Sequence, residues 1–290
     1  MNSRSPRDAE VLRLLGTYGF LGRVQIEEFV LGESALSIRS RERVTWRILR
    51  RLSQRQLITT NALLAGDPEG MPTRIAYFLT ARGRRVFEAL ESVAQHRRLR
   101  VRGTFLLAHA LMVAEIALVF LRQARASSGR DVLLWECDWQ VAGSLGPLPV
   151  APDAKLTYQT PGRRIHAFIE ADRGSEGTRF FGRKIDRYLD LYRDDSRLPL
   201  PVWPLILTVA PSEARTSELH RASETVLRAR PQMSRIARAF RFTSLGALRG
   251  GAGPFGEIWQ VAGRSGRFPL IDEPAQSAGA PVERRETRTP

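Results

Sequence analysis

The chain has 290 residues, of which 43% are hydrophobic and 26% charged, the composition of an ordinary globular protein long enough for about two domains. Cys137 is the only cysteine, which excludes an internal disulfide and a paired-cysteine zinc site and fits a reducing cytoplasm. The net charge of +15 favours a polyanionic partner, nucleic acid ahead of a membrane surface.

In chain order, residues 7–19 carry helical spacing at Val11, Leu14 and Leu15 and stop at Gly19. A second helix is predicted over 24–31 and a third over 40–57. At 100° per residue the third places Thr45, Ile48, Leu49 and Leu52 on one face and Arg43, Arg47 and Arg50 on the other. One side can pack while the other meets phosphate. The stretches 57–64 and 73–80, separated by the turn-forming GDPEG, predict a β-hairpin, after which Thr80 caps a helix running to Val93. Three helices, a hairpin and a closing helix make the order of a winged helix-turn-helix, a DNA-binding form whose third helix enters the major groove. Nineteen arginines against ten acids in 1–103 place +9 of the charge in this region. Arg39, Arg43, Arg47, Arg50 and Arg51 are its candidate nucleic-acid contacts. A solvated helix face and a protein-interaction module are the other readings of the same pattern.

A charged connector at 95–103 separates this winged-helix domain, 1–95, from a second domain over 104–265. The apolar run 105–121 is short for a bilayer and carries His109 and Glu115, which predicts a buried helix rather than a membrane span. The opening residues MNSRSPRDAE lead into no apolar signal core. Strands are expected at 131–141, near 153–159 and at 164–170, then a helix at 177–193, a strand at 202–209 and a helix at 212–229. That α-β-β-β-α-β order predicts an α+β or α/β core. FRFTSLGAL and EIWQVAG add candidate strands. The end of the chain, 266–290, lacks apolar periodicity from about 272 onward and is expected to be disordered.

The chemistry-bearing cluster is in APDAKLTYQTPGRRIHAFIEADRG, residues 151–174. Asp153 opens one strand and Glu170 closes the next. If the second strand runs on, Glu170 and Asp172 share a face, and a hairpin through QTPGRR brings Asp153 towards them. Carboxylates converging on a hard cation are how proteins hold Mg2+ or Mn2+, and such an ion lowers the pKa of bound water and steadies charge on a scissile phosphate. Only Lys155 and Lys184 are lysines, and the other 43 of the 45 basic residues are arginine. Both lysines fall close to these acids in sequence. Glu136 is a further candidate ligand, with a solvated strand face as its alternative, and Glu115 needs a buried partner or a metal. Arg215 reads as a helix-surface residue or a phosphate contact. There is no GxxxxGK[ST] loop, GxSxG elbow or paired-histidine relaxase motif.

The run Pro152, Asp153, Glu170, Ala171, Asp172 resembles the PD-(D/E)xK nuclease superfamily. The chain as a whole resembles the replication-relaxation family of plasmid and mobile-element proteins, over roughly residues 7–265. The points of likeness are the winged-helix start, His109, PDAKL, FIEADRGSEG with RKIDRY, and PVWPLILTV before Ser212–Arg215. The first resemblance implies a restriction-endonuclease-like αβββαβ core with Asp153 and Glu170 as metal ligands and Asp172 as an added one. The position two after Glu170, where that superfamily carries lysine, is Asp172. Lys184 or Lys155 is then the candidate charge stabiliser. The expected function is DNA binding in plasmid or mobile-element replication or relaxation, with metal-dependent cleavage of DNA as the attached chemistry. The alternatives are a non-catalytic DNA-binding regulator on the same fold and a protein-interaction adaptor. Double-stranded DNA is the expected partner, without a membrane, alongside a second copy of the chain and replication or mobilisation proteins.

Overall fold

A computed structural model of the chain describes residues 5–62, 75–91, 104–146, 148–193 and 202–271. It is a mixed α+β protein that divides into two units, residues 1–118 and 119–290, the division falling within one long helix.

The first unit opens with helix α1 (Pro6–Tyr18), whose Val11, Leu12 and Leu15 are buried. It stops where Gly19 adopts φ 78°, a left-handed conformation that glycine enters without a Cβ penalty. A two-residue strand, β1 (Leu21–Gly22), leads into α2 (Arg23–Leu31) and then α3 (Ile38–Gln54). Ser37 caps α3 by accepting from the Ser40 backbone N–H at 3.3 Å. Its buried residues are Thr45, Ile48, Leu49 and Leu52, the face predicted from the spacing. Strands β2 (Ile58–Ala62) and β3 (Ile75–Leu79) pair antiparallel, with Ile58 opposite Leu79 and Ala62 opposite Ile75. The predicted GDPEG turn lies outside the described residues. β1 pairs with β3 on its other side, giving the sheet order β1-β3-β2. Helix α4 (Ala81–Glu91) follows, capped as predicted by Thr80, whose hydroxyl accepts from the Gly83 N–H at 3.0 Å. The first part of α5 (Thr104–Arg125) belongs to this unit, where Leu107 and Leu111 join Phe20 and Ala76 in an apolar cluster. By length and composition alone, residues 106–125 could cross a membrane.

The α1 and α3 helices are tied by charge as well as by packing. Asp8 is 1% exposed and Arg51 donates to both of its oxygens, the Nε bonds measuring 2.9 and 3.2 Å. Arg55 adds a longer contact of 3.7 Å.

The second unit holds a six-stranded sheet in the order β4-β5-β6-β7-β8-β9. Its strands are β4 (Asp131–Cys137), β5 (Ala154–Thr160), β6 (Arg163–Ala171), β7 (Leu205–Ala210), β8 (Phe240–Ser244) and β9 (Gln260–Val261). β5 and β6 form a hairpin whose two-residue turn needs Gly162 at φ 81°. β6-β7 and β7-β8 are parallel, so each pair requires a crossover, supplied by α7 (Thr178–Arg193) and α8 (Glu213–Arg228). Central β7 is buried on both faces and, Thr208 apart, apolar. Phe168, Ile206, Phe240 and Phe242 from one face of the sheet pack with Phe181, Ile185, Tyr188, Leu189 and Leu219 from the two crossover helices.

One expectation is overturned here. The strand predicted over 131–141 ends at Cys137, and Asp138–Leu145 is a helix, α6. The Gln140 side chain accepts from the Cys137 backbone N–H at 3.0 Å, which satisfies a donor at the new helix start. FRFTSLGAL likewise splits into β8 and a short helix α9 (Leu245–Arg249), capped by Ser244.

A Cβ at Gly83 would strike the backbone carbonyl of Leu57. Gly83→Ala is therefore expected to destabilise the first unit by about 1–3 kcal/mol, read as a lower urea midpoint at unchanged m-value.

Candidate functional site

The hairpin register builds the site. Ala154 stands opposite Ile169, and the Asp153 backbone N–H extends the ladder to the Ile169 carbonyl at 3.0 Å. One step on, Asp153 therefore faces Glu170, and alternation puts both side chains on the side of the sheet that carries Phe168 and the crossover helices. The Asp153 Oδ2 accepts from the Ala171 N–H at 2.8 Å, which fixes that carboxylate across the two strands.

Glu170 is 3% exposed. Two groups from α7 meet it: Lys184 Nζ pairs with Oε2 and the Tyr188 hydroxyl donates to Oε1. Lys184 and Tyr188 are one turn apart, so a single helix face delivers both. Burial pushes the Glu170 carboxyl up to about 7, with the nearby Asp153 charge adding to the rise, while Lys184 and the two hydrogen bonds pull it back. Burial opposes the Lys184 charge, yet Glu170 and Asp153 outweigh that and hold its pKa above the ordinary lysine value. Beside Glu170 in the sheet stands Thr208, 1% exposed, whose hydroxyl has no hydrogen-bond partner among the described residues.

The other expected members go elsewhere. The Asp172 carboxylate is gripped by Arg215 on α8, Nε to Oδ2 at 2.8 Å and Nη2 to Oδ1 at 3.0 Å, and it also accepts from the Gly174 N–H. Lys155 lies on the same sheet face as Asp153 but pairs with Glu136 of β4 at 2.5 Å, with Ser144 within reach of both. Among the described residues no group of three or more His, Cys, Asp or Glu stands where it could hold a metal ion. The structure thus brings together Asp153, Glu170 and Lys184, and separates Asp172 and Lys155 from them. Glu115 has a buried partner in Gln25, whose amide donates to it at 3.3 Å and to the Leu111 carbonyl at 2.9 Å.

Sequence reasoning missed Tyr188. Its signal was there, since a tyrosine four residues after Lys184 on an otherwise apolar helix face needs a hydroxyl partner when buried. In the first unit, Arg39, Arg43, Arg47 and Arg50 of α3 are exposed, whereas Arg51 is committed to Asp8. That pairing raises the Arg51 pKa, chiefly through its hydrogen bond to Asp8.

The molecule is thus an α+β protein with a basic helix face in one unit and a buried carboxylate–lysine pair in the other. The replication-relaxation family model matches residues 12–200, more than half of the chain, and the protein belongs to that family. No curated protein and no solved structure matches it.

Between pH 4.5 and about 7 the folded chain holds a proton on Glu170 that the unfolded chain has released. Unfolding free energy is therefore expected to fall as pH rises through that window and to level off above it, by at most about 1.4 kcal/mol per pH unit. Lys184 stays charged throughout and adds no slope. Urea unfolding between pH 4.5 and 8 measures this, and Glu170→Gln is expected to remove the Glu170 contribution.

Proposed function

We propose that this is a DNA-binding protein of plasmid or mobile-element replication or relaxation. Its first unit is a winged helix that docks duplex DNA through α3, and its second is a PD-(D/E)xK-like core. The observation that carries the DNA reading is the α3 face of Arg39, Arg43, Arg47 and Arg50. All four are exposed, and among the described residues none is ion-paired, while the opposite face of the helix is buried. A helix presented in this way can lie in the major groove with guanidinium groups on phosphate or guanine. The element order and the β1-β3-β2 sheet support the winged-helix assignment, since β2 and β3 form the hairpin that follows the third helix.

In the second unit, Asp153 and Glu170 are hard oxygen donors on adjacent strands, the set that suits one Mg2+ or Mn2+ held by two carboxylates and substrate phosphate. Such an ion, when bound, supplies an activated water and stabilises the charge that develops on phosphate. Lys184 provides the ammonium that the sequence lacks at position 172. It reaches the carboxylate from the following helix, and Tyr188 fixes the orientation of Glu170. Asp172 has no part in this arrangement, because Arg215 holds it at the start of α8. A second reading, non-catalytic DNA binding, is favoured by one observation: both oxygens of Glu170 already have partners and the group is buried.

Binding of a duplex should weaken steeply with salt, and Arg43→Ala and Arg47→Ala should each flatten log Kd against log salt by about one unit where the side chain contacts phosphate. Salt-independent binding would instead mark an adaptor. Incubating the protein with supercoiled plasmid and Mg2+ or Mn2+ separates the two DNA-binding readings. Nicking that is lost in Asp153→Ala, Glu170→Ala and Lys184→Ala establishes the nuclease. Salt-sensitive binding with intact plasmid under every condition establishes the regulator.

A further inference from the structure

We infer that the outer face of α7 is a second nucleic-acid surface, a track for a single DNA strand running beside Glu170 and Lys184, with Phe180 as a base-stacking platform. The inference rests on the chain being a DNA-binding protein, but it does not depend on α3.

Three observations carry it. First, Arg179, Arg183 and Arg187 recur every four residues along α7, all exposed, and form a continuous row on one side of the helix. None has a carboxylate partner among the described residues. The acids of the same helix do not neutralise the row, because Asp186 and Asp190 are engaged by Arg230 at 3.0 and 2.7 Å. Second, Phe180 stands in this row with 45% of its surface exposed. It belongs to a helix whose other large apolar side chains, Phe181, Ile185, Tyr188 and Leu189, are buried. The Arg183 guanidinium lies over its ring, 5.2 Å from the centroid, which keeps an aromatic face and a positive charge together at the surface. Third, Phe180 and Arg187 are the i−4 and i+3 neighbours of Lys184, so the row borders the group that contacts Glu170.

Guanidinium groups in a line follow a phosphate backbone, and an exposed ring offers stacking to any base whose face is open. In a duplex those faces are covered by neighbouring base pairs. The exposed Phe180 therefore selects an unpaired strand, whereas the arginine row alone would accept either form. A face of this kind would hold an unpaired strand next to Glu170 and Lys184 while α3 holds duplex.

Fluorescence anisotropy of the full chain with a labelled oligo-dT strand and with a mixed-sequence duplex tests this. The variants are Phe180→Ala, Phe180→Trp, the triple Arg179→Ala/Arg183→Ala/Arg187→Ala, and Arg43→Ala/Arg47→Ala, each checked for native circular dichroism. Phe180→Ala is expected to weaken strand binding by roughly five- to a hundredfold and leave duplex binding unchanged. Phe180→Trp retains the strand. The triple variant is expected to lose at least about tenfold in strand affinity with a shallower salt dependence. The inference falls if Phe180→Ala and the triple variant both bind the strand like the parent, or if the parent binds duplex and no strand. In either case duplex binding lost in Arg43→Ala/Arg47→Ala leaves the DNA-binding reading standing. A parent that binds neither form overturns both.

Discussion

The burial of the Glu170 carboxylate is the constraint around which the second unit is arranged. An ionised carboxylate removed from water without partners is too costly for a folded chain to carry, and here burial alone moves the group towards neutrality. The structure answers with two donors from one helix, Lys184 and Tyr188. They reach Glu170 only if α7 crosses over the face of β6, which is also the face where Ile185 and Leu189 find Phe168 and Phe240. Packing and charge therefore specify the same placement of α7. A parallel β7 follows from that crossover, and α8 repeats the arrangement towards β8.

The same arrangement explains why the acids 170 and 172 meet different fates although both are expected on one face. Glu170 lies within the sheet, paired in register with Thr208, and is covered by α7. Asp172 lies just past the end of β6, where its backbone N–H still reaches the Val209 carbonyl at 2.9 Å, beside the start of α8. A guanidinium presented by that first turn can take a carboxylate with two parallel bonds. Asp172 thereby joins the end of β6 to α8 instead of adding a third carboxylate to the pair formed by Asp153 and Glu170.

Much of this was legible in the sequence, for reasons that can be named. Apolar periodicity located α1, α3 and α7, because in each case one face is buried and the other is not. The buried face of α3 follows directly from the spacing of Thr45, Ile48, Leu49 and Leu52. Adjacent strands in a tight hairpin also made the approach of Asp153 to Glu170 readable, since a two-residue turn leaves little freedom in register. What was not readable depends on contacts between residues far apart in the chain. Arg215 is 43 positions from Asp172, and Arg51 is 43 positions from Asp8. No local pattern marks either arginine as different from its exposed neighbours. The break at Cys137 was hidden because DVLLWECDWQV keeps strand-like composition across it. The donor at the helix start is satisfied by Gln140 rather than by one of the usual capping residues.

The use of basic residues follows one physical rule. Where an acid lies on a helix or just past a strand end, an arginine takes it: Arg51 on Asp8, Arg215 on Asp172, Arg230 on Asp186 and Asp190. Where the carboxylate lies over the sheet beneath other side chains, the partner is a lysine: Lys184 on Glu170 and Lys155 on Glu136. A guanidinium brings five N–H donors in a fixed fork, and each one left buried without an acceptor costs free energy. An ammonium brings three donors on a flexible stem and meets a single carboxylate oxygen as a compact charge. The chain has two lysines, and both stand at such positions. Lysine at 155 and 184 thus meets one carboxylate oxygen over the sheet. The positive charges described here are of two kinds: those that hold acids, and the exposed Arg39, Arg43, Arg47 and Arg50 of α3 with Arg179, Arg183 and Arg187 of α7, which have no ion-pair partner among the described residues.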